Sequence, residues 1–450
     1  MKVMLIQAYL GRKELPVFPL GLAMLAAVLP GHDVKIYDPN VSDEPYNDLR
    51  TSLAQFQPEV VGISLRNIDN QQGIDFFYYF ETMEPTLKII REICPKCSVA
   101  IGGAGYSMFA EKIMQRLDKV DFGVYLEGEE SFPELLDNLG SPEVVKGIFY
   151  RNNGSVVFSG PRPLPDFSRL PFPRKDLVDI SKYSTHQEGI GIQTRRGCPL
   201  SCCYCTYPTL NGNKIRERSV QSVVDEVEDW MKRGVSSFIF SDALFTLPLD
   251  HATAICDEIL KRKLKVRWSA WAEPRFITRE FLLLAREAGC TFIAYTPDAL
   301  SSSSLKALRK AITKEDVIKV YRLATEIKGI KTGFGFFVNP PQETLRGFLE
   351  TLWFFIKGNL VLRIKNGGGV GLNWIRIEPD TRIFDIALSE NVITRTTEML
   401  PPAGQVRHAE LFYSYPPLKK YDWIARSVLT SLEFSKTVFR AVTGRQGHGH

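Results

Sequence analysis

Short apolar runs separated by amphipathic stretches recur along most of this chain, and that rhythm constrains the fold more than any other feature. In residues 1–140 the runs at 3–7, 34–37, 60–64, 99–102 and 122–126 have strand length, while 20–29 and 79–93 repeat their apolar positions at helical spacing. Strands alternating with helices need crossover connections, so this segment is expected to form a parallel sheet with helices on its faces. From about residue 190 the rhythm resumes with longer repeats, and strands are expected at 190–195, 237–241, 266–270, 292–295, 332–338 and 371–377. Such a series of β/α units predicts a partial barrel. Between the two series lie a hairpin at 147–157, around Asn152-Asn153-Gly154, and a proline-rich strap from Pro161 to Pro173. The tail has Pro401-Pro402, Pro416-Pro417 and an amphipathic stretch over 422–442, which reads as a cap across the barrel mouth. The expected class is therefore α/β: an N-terminal Rossmann-like parallel sheet in 1–140, a hairpin and linker in 141–190, a partial TIM-like (β/α)6 barrel in 191–390, and a small helical C-terminal region in 391–450.

Composition narrows the class of function. With 44% hydrophobic and 24% charged residues in 450, the chain can bury a sizeable core, which excludes a disordered or fibrous protein. Its net charge of +5 is small and its basic residues are scattered, so nucleic acid is not an expected partner. No run of about eighteen apolar residues predicts a transmembrane helix. Residues 1–10 lack a cleavage site and lead into charged 11–14, so they read as a strand and not a signal peptide. The eight cysteines form no disulfide pattern, and a reducing, cytoplasmic setting is expected. Cys94 and Cys97 flank Pro95 in a turn, and Cys256 and Cys290 lie in apolar surroundings as core thiols.

Cys198, Cys202 and Cys205 stand apart, in Arg196-Gly-Cys-Pro-Leu-Ser-Cys-Cys-Tyr-Cys205. Three thiolates can hold three corners of a four-iron, four-sulfur (4Fe-4S) cube and leave the fourth iron open. A zinc site would need a second ligand pair at finger spacing, and none follows. Cys203 reads as a non-ligand.

Parallel sheets bind their ligands at the carboxyl ends of the strands. In the first segment those ends are the loops 8–12, 65–70, 102–105 and 127–130, which give Leu65, Arg66, Asn67, Gly102, Gly103, Ala104, Glu127 and Gly128 as candidate cofactor contacts. Glycines at 102, 103 and 105 would admit a phosphate-bearing ligand to the backbone. A nicotinamide site is disfavoured, because Ala8-Tyr-Leu-Gly-Arg12 stands where G-x-G-x-x-G should follow the first strand. In the second segment the strand ends carry Ser241-Asp242, Glu273 with Arg275, Tyr295 to Asp298, and Arg376. Glu273 and Arg275, charged among Trp268, Trp271 and Phe276, are with Tyr295 the candidate catalytic residues; Tyr204, Asp242 and Arg376 are candidate cofactor contacts. Each has a structural alternative: Asp242 as a helix cap, Glu343 in the first turn of a helix, Tyr295 as a strand residue. Trp268, Trp271, Trp374 and Tyr295 would suit stacking on a substrate, and Tyr413 and Tyr415 could reach it from the tail.

The cysteine loop, with Tyr204 before the third cysteine, resembles the cluster loop of the radical S-adenosylmethionine (radical SAM) superfamily. Residues 1–140 resemble the cobalamin-binding domain ahead of many of its members, through Pro19-Leu-Gly-Leu-Ala-Met-Leu-Ala26, Ile101-Gly-Gly-Ala104 and Leu126-Glu-Gly-Glu129. Stretches 238–246, 339–344 and 378–383 are similar to the barrels of the same group. The resemblance implies a 4Fe-4S cluster on Cys198, Cys202 and Cys205, SAM on its open iron, and cobalamin on the first sheet. The mutase pattern D-x-H-x-x-G is missing, since His32 is followed by Asp-Val-Lys, so no histidine ligand to cobalt is expected. Arg66, or a water it holds, is expected on that side of the corrin. The implied activity is a cobalamin-dependent radical SAM methyltransferase: one SAM methylates cobalt(I), a deoxyadenosyl radical from another activates the substrate, and methylcobalamin delivers methyl to carbon, less readily to phosphorus. A wholly polar transfer fits equally well. The rivals are a cyclisation, oxidation or ring rearrangement with the same cofactors, and a cobalamin or redox sensor, for which no output module is evident. Expected partners are a small natural-product, aromatic or lipid-like precursor and an electron donor such as flavodoxin or ferredoxin.

Overall fold

The computed structural model describes residues 1–11, 14–186 and 188–431. Seven strands form the first sheet: β1 (Lys2–Gln7), β2 (Asp33–Tyr37), β3 (Val60–Ser64), β4 (Ser98–Gly102), β5 (Phe122–Val124), β6 (Ile148–Asn152) and β7 (Ser155–Phe158), in the order β2-β1-β3-β4-β5-β6-β7. The first five run parallel. β1 is buried from Val3 to Gln7, as a strand covered on both faces should be, and its continuous apolar run reflects that. The hairpin read as linker belongs to this sheet: β6 pairs antiparallel with β5, and β7 with β6. Asn153 and Gly154 turn it with φ of 48° and 82°, the left-handed pair that a two-residue hairpin requires.

β8 (Gly191–Ile192), β11 (Ser237–Phe240), β12 (Arg267–Ala272), β13 (Cys290–Asp298), β14 (Lys331–Phe337) and β15 (Gly369–Asn373) form the second sheet, all parallel and in sequential order. Between the first two of these, β9 (Arg195–Arg196) pairs antiparallel with β10 (Arg216–Glu217). Beyond β15, β16 (Ile375–Arg376) pairs antiparallel with β17 (Phe412–Tyr413). Two expected strands are thus broken, 190–195 after Ile192 and 371–377 at Trp374. In both cases the chain leaves the sheet to make a second, antiparallel pair beside the strand ends.

The helix expected over 79–93 is a 3-10 turn at Tyr79–Thr82 followed by the helix Met83–Ile93. Its apolar positions face the first sheet, where Met83, Leu87 and Ile90 are fully buried. The tail is mostly irregular and becomes helical from 422; the rest of the amphipathic stretch beyond 431 lies outside the described residues. Residues 398–404 strap the tail to the first domain: the Tyr78 hydroxyl donates to the Pro401 carbonyl at 2.8 Å and Arg116 pairs with Glu398 at 3.0 Å. No described helix is long and apolar enough to cross a membrane.

Candidate functional site between two sheet ends

The carboxyl ends of the two sheets face one another across a cavity of about 430 Å³, in the size range of small-molecule sites. Gln7, Ser64, Arg66, residues 100–104 and residues 126–129 line it from the first domain, and Gly191, Gln193, Arg196, Asn211 and Ser241 from the second. Of the eight contacts expected on the first sheet, Arg66, Gly102, Gly103, Ala104, Glu127 and Gly128 are on this wall. Leu65 and Asn67 stand behind it. A Cβ on Gly103, whose φ is +100°, would meet the Leu65 carbonyl oxygen at 2.7 Å, and one on Gly105 would meet the Asn67 backbone at 2.7 Å. Gly103 and Gly105 therefore let two protein loops pack together, while Gly102 and Gly103 also line the cavity. The Arg66 side chain is exposed and makes no hydrogen bond or ion pair with any described residue, so its charge is available to the cavity.

The three-cysteine loop begins where β9 ends. Gly197 turns there with φ of 88°, and a Cβ would lie 2.0 Å from the Lys214 carbonyl oxygen, so the turn admits only glycine. All eight cysteines are free thiols. The Cys198, Cys202 and Cys205 thiols sense one another electrostatically, and burial pushes Cys202 up to about 12. Among the described residues no three ligating side chains converge on one point as a single ion would need. Thiolates on separate irons of a cube stand farther apart than the ligands of one ion, so a cluster does not require that convergence. Cys203 is 2% exposed and tied through its backbone: its amide donates to the Leu308 carbonyl at 3.0 Å, and its carbonyl accepts from the Ile383 amide at 2.8 Å.

The loop is braced by residues from several strand ends. The Tyr204 hydroxyl donates to Asp298 Oδ2 at 2.5 Å, and the same oxygen pairs with Lys310 Nζ at 2.8 Å. Lys310 also donates to the Thr296 carbonyl at 2.7 Å and adds its positive field at Cys202 and Glu273. Glu273 is 2% exposed; its amide donates to Thr246 Oγ1 at 2.9 Å, and its Oε1 is buried without a partner. Burial pushes the pKa of its carboxyl up, opposed by Lys310 and then Arg275. Arg275 has a buried Nε without a partner and lies 4.3 Å from the centre of the Phe276 ring.

Several expected contacts are engaged by the protein itself. Asp242 accepts from the Thr194 amide at 2.8 Å, the Thr194 hydroxyl at 2.6 Å and the Arg195 amide at 3.1 Å, so it caps no helix and instead clamps the break after β8. Arg376 donates to Asp69 at 3.0 Å, to the Ile377 carbonyl and to the Met399 carbonyl at 3.0 Å, which joins the two domains and uses three of its five N–H donors. Glu127 is held by Arg196 at 2.9 Å and by Arg216, and Glu129 by Arg196 at 2.7 Å. β13 runs past Tyr295 to Asp298, so Tyr295 is not at a strand end; its ring packs on Phe334 at 5.3 Å inside the barrel. Trp268 is also core, and Trp374 packs against Gly73 and Arg426. Tyr413 is buried and donates to Glu390 at 2.5 Å. Glu343 is buried just before the helix Leu345–Lys365 and accepts from the Thr344 amide at 2.8 Å.

Residues 6–136 match the family model of the B12 binding domain, and residues 192–355 that of the radical SAM superfamily. The chain pairs a B12-binding domain with a radical SAM domain. It is 27% identical over 406 residues, 87% of this chain and 83% of the relative, to an uncharacterised methyltransferase of Pyrococcus horikoshii. It is 29% identical over 379 residues, 70% of this chain and 67% of the relative, to the cytidylyl-2-hydroxyethylphosphonate methyltransferase of Streptomyces wedmorensis. Among solved structures, the fold matches the radical SAM methyltransferase TsrM of Kitasatospora setae, bound to tryptophan and a SAM analogue, with a TM-score of 0.79 and 21% identity over 95% of this chain and 88% of that one. It also matches the cobalamin-dependent radical enzyme OxsB with aqua-cobalamin and SAM, with a TM-score of 0.70 and 19% identity over 92% of this chain and 64% of that one.

In the radical SAM domain the donor chemistry fits a cluster: three free, mutually coupled thiols at the mouth of the sheet. In the B12-binding domain the fit rests on the cavity between the sheet ends and the unpartnered Arg66. Among the described residues no histidine lines that cavity. Sequence reasoning missed Lys310, Asp69 and Glu378. The last is 5% exposed, accepts from Gln71 Nε2 at 3.2 Å and keeps Oε2 buried without a partner.

Proposed function

We propose that this chain is a cobalamin-dependent radical SAM methyltransferase acting on a carbon centre of a small molecule. The observation that carries the reading is the meeting of the two strand-end faces over one cavity, with Arg196 spanning from the cysteine loop to Glu127 and Glu129 of the B12-binding domain. Its methyltransferase relatives support the choice of reaction. When bound, SAM would supply both the methyl group and the radical, the cluster the electron, and the corrin the methyl carrier.

The chain's own residues hold, orient and shield. Cys198, Cys202 and Cys205 hold the cluster, and the Tyr204–Asp298–Lys310 bridge fixes their loop. Glu273, with an oxygen short of a donor, receives the ammonium of SAM or an N–H or O–H of the substrate, and Arg275 receives a carboxylate beside it. Arg66, on the cavity wall, would meet the cobalamin where a histidine is not expected; electron paramagnetic resonance of the cobalt(II) form with no protein nitrogen coupling is the expected result. The Arg196 bridge keeps both loops in register, which matters because misplacement of about an ångström is costly to reacting partners. The division into domains at 1–140, 141–190, 191–390 and 391–450, with the hairpin at 148–158 added to the first sheet, a cytoplasmic setting, a flavodoxin or ferredoxin as donor, and an aromatic or lipid-like substrate complete the reading.

Anaerobic turnover of the reconstituted protein with SAM, cobalamin and reductant tests it. A product heavier by one methylene unit, with S-adenosylhomocysteine and 5′-deoxyadenosine released, is expected. S-adenosylhomocysteine alone selects the polar transfer. Loss of hydrogens without methyl gain replaces methylation with cyclisation or oxidation.

A further inference from the structure

The outer wall of the radical SAM domain, away from the cavity, carries an apolar stripe open to solvent. The helix Leu345–Lys365 buries Phe348, Leu352, Phe355 and Leu362. Its other face shows Leu345, Leu349, Trp353, Leu360 and Ile364 at 46%, 52%, 64%, 60% and 82% exposure. At helical spacing these five fall within a sector of about 100° that runs about 29 Å along the axis. Single exposed leucines are ordinary, but a continuous stripe of five large apolar side chains is not.

Charge decides the occupant. Arg346, Lys357, Arg363 and Lys365 flank or end the stripe, and Glu350 is the helix's single acid, held by Lys314 at 2.6 Å and Arg346 at 3.1 Å. We propose that this face rests on an anionic lipid surface, with the stripe seated at the boundary of head groups and acyl chains and the cations among lipid phosphates. A helix apolar on one side and edged with lysine and arginine is built to lie in that plane. Long basic side chains keep their heads in the phosphate layer while their stems cover apolar surface. A second copy fits less well, because a twofold contact along the stripe would set the same cationic edges against each other. Binding is peripheral, since no described helix is long and apolar enough to span.

Cosedimentation of the full chain with phosphatidylcholine vesicles, with and without phosphatidylglycerol, tests this. Binding to the anionic vesicles that weakens at high salt is expected. The double variant Trp353→Glu, Leu360→Glu should lower partitioning at least about tenfold, and Lys357→Gln with Arg363→Gln should remove most of the salt dependence. All four side chains are exposed, so an unchanged circular dichroism spectrum and thermal midpoint would separate lost binding from misfolding. A chain that stays in the supernatant with anionic vesicles, or binds equally well in both variants, overturns the proposal. So does a dimer by light scattering that Trp353→Glu, Leu360→Glu dissociates while vesicles bind neither form, which assigns the stripe to a second copy. Binding that arises only after removal of residues 432–450 assigns the stripe to that segment and overturns the proposal as well.

Discussion

Lys310 is the residue whose neighbours ask most of it. Its ammonium is buried, paired with Asp298 and bound to the Thr296 carbonyl, and its field reaches Cys202 and Glu273. A fixed cation beside a cluster favours the more negative, reduced state. Lys310→Met is therefore expected to lower the midpoint potential of the reconstituted cluster on the order of 100 mV, read by a redox titration followed by paramagnetic resonance. An unchanged potential would show that the pair only braces Tyr204. The four clustered cysteines separate just as sharply. Cys202→Ala should cost the cluster, whereas Cys203→Ala, at a site held through its backbone to Leu308 and Ile383, should leave iron content unchanged. Anaerobic iron and sulfide analysis checks both.

At the scale of elements, the cluster loop depends on its launch from β9. Gly197→Ala places a methyl 2.0 Å from the Lys214 carbonyl oxygen in a left-handed turn, so the loop must shift. Iron content well below that of the parent, with far-ultraviolet circular dichroism unaltered, is the expected outcome. The alternation of strands and helices was legible in the sequence because each buried parallel strand reads as an unbroken apolar run, as 3–7 does. What was not legible depends on partners distant in sequence. Nothing local says that 147–158 will extend the first sheet, since its pairing to β5 is non-local. The break after Ile192 depends on Asp242, about fifty residues on, accepting from Thr194 and Arg195. The cysteines announce themselves by spacing, and Glu273 by its aromatic neighbours. Lys310 follows Arg309 in a polar stretch that looks like surface, and Glu378 sits in a proline-turn sequence; burial alone gives each its meaning.

For the whole molecule, the domains meet through apolar packing, as of Phe18 on Trp230, and through buried polar contacts, and the latter make stability depend on pH. Asp69 of the B12-binding domain pairs with Arg376, both under 4% exposed at the side chain, and Gln71 donates to Glu378. Glu378 faces Arg376 and Asp69, and burial lifts its carboxyl from 4.5 to about 7, with Asp69 adding to the rise and Arg376 opposing it. A carboxyl whose folded value is raised binds its proton more tightly in the folded state. Its contribution is therefore fully present below about pH 4.5 and is lost as pH rises through 7. A shift of this size corresponds to on the order of 3 kcal/mol. Glu378→Gln keeps a neutral group of the same shape and can retain the contact with Gln71. The variant should match the parent in urea midpoint near pH 4.5 and exceed it at pH 8, which flattens the decline between them. A variant less stable than the parent at pH 8 would mean that ionised Glu378 is a net attractive partner of Arg376, so that the clasp between the domains closes on charge and not in spite of it.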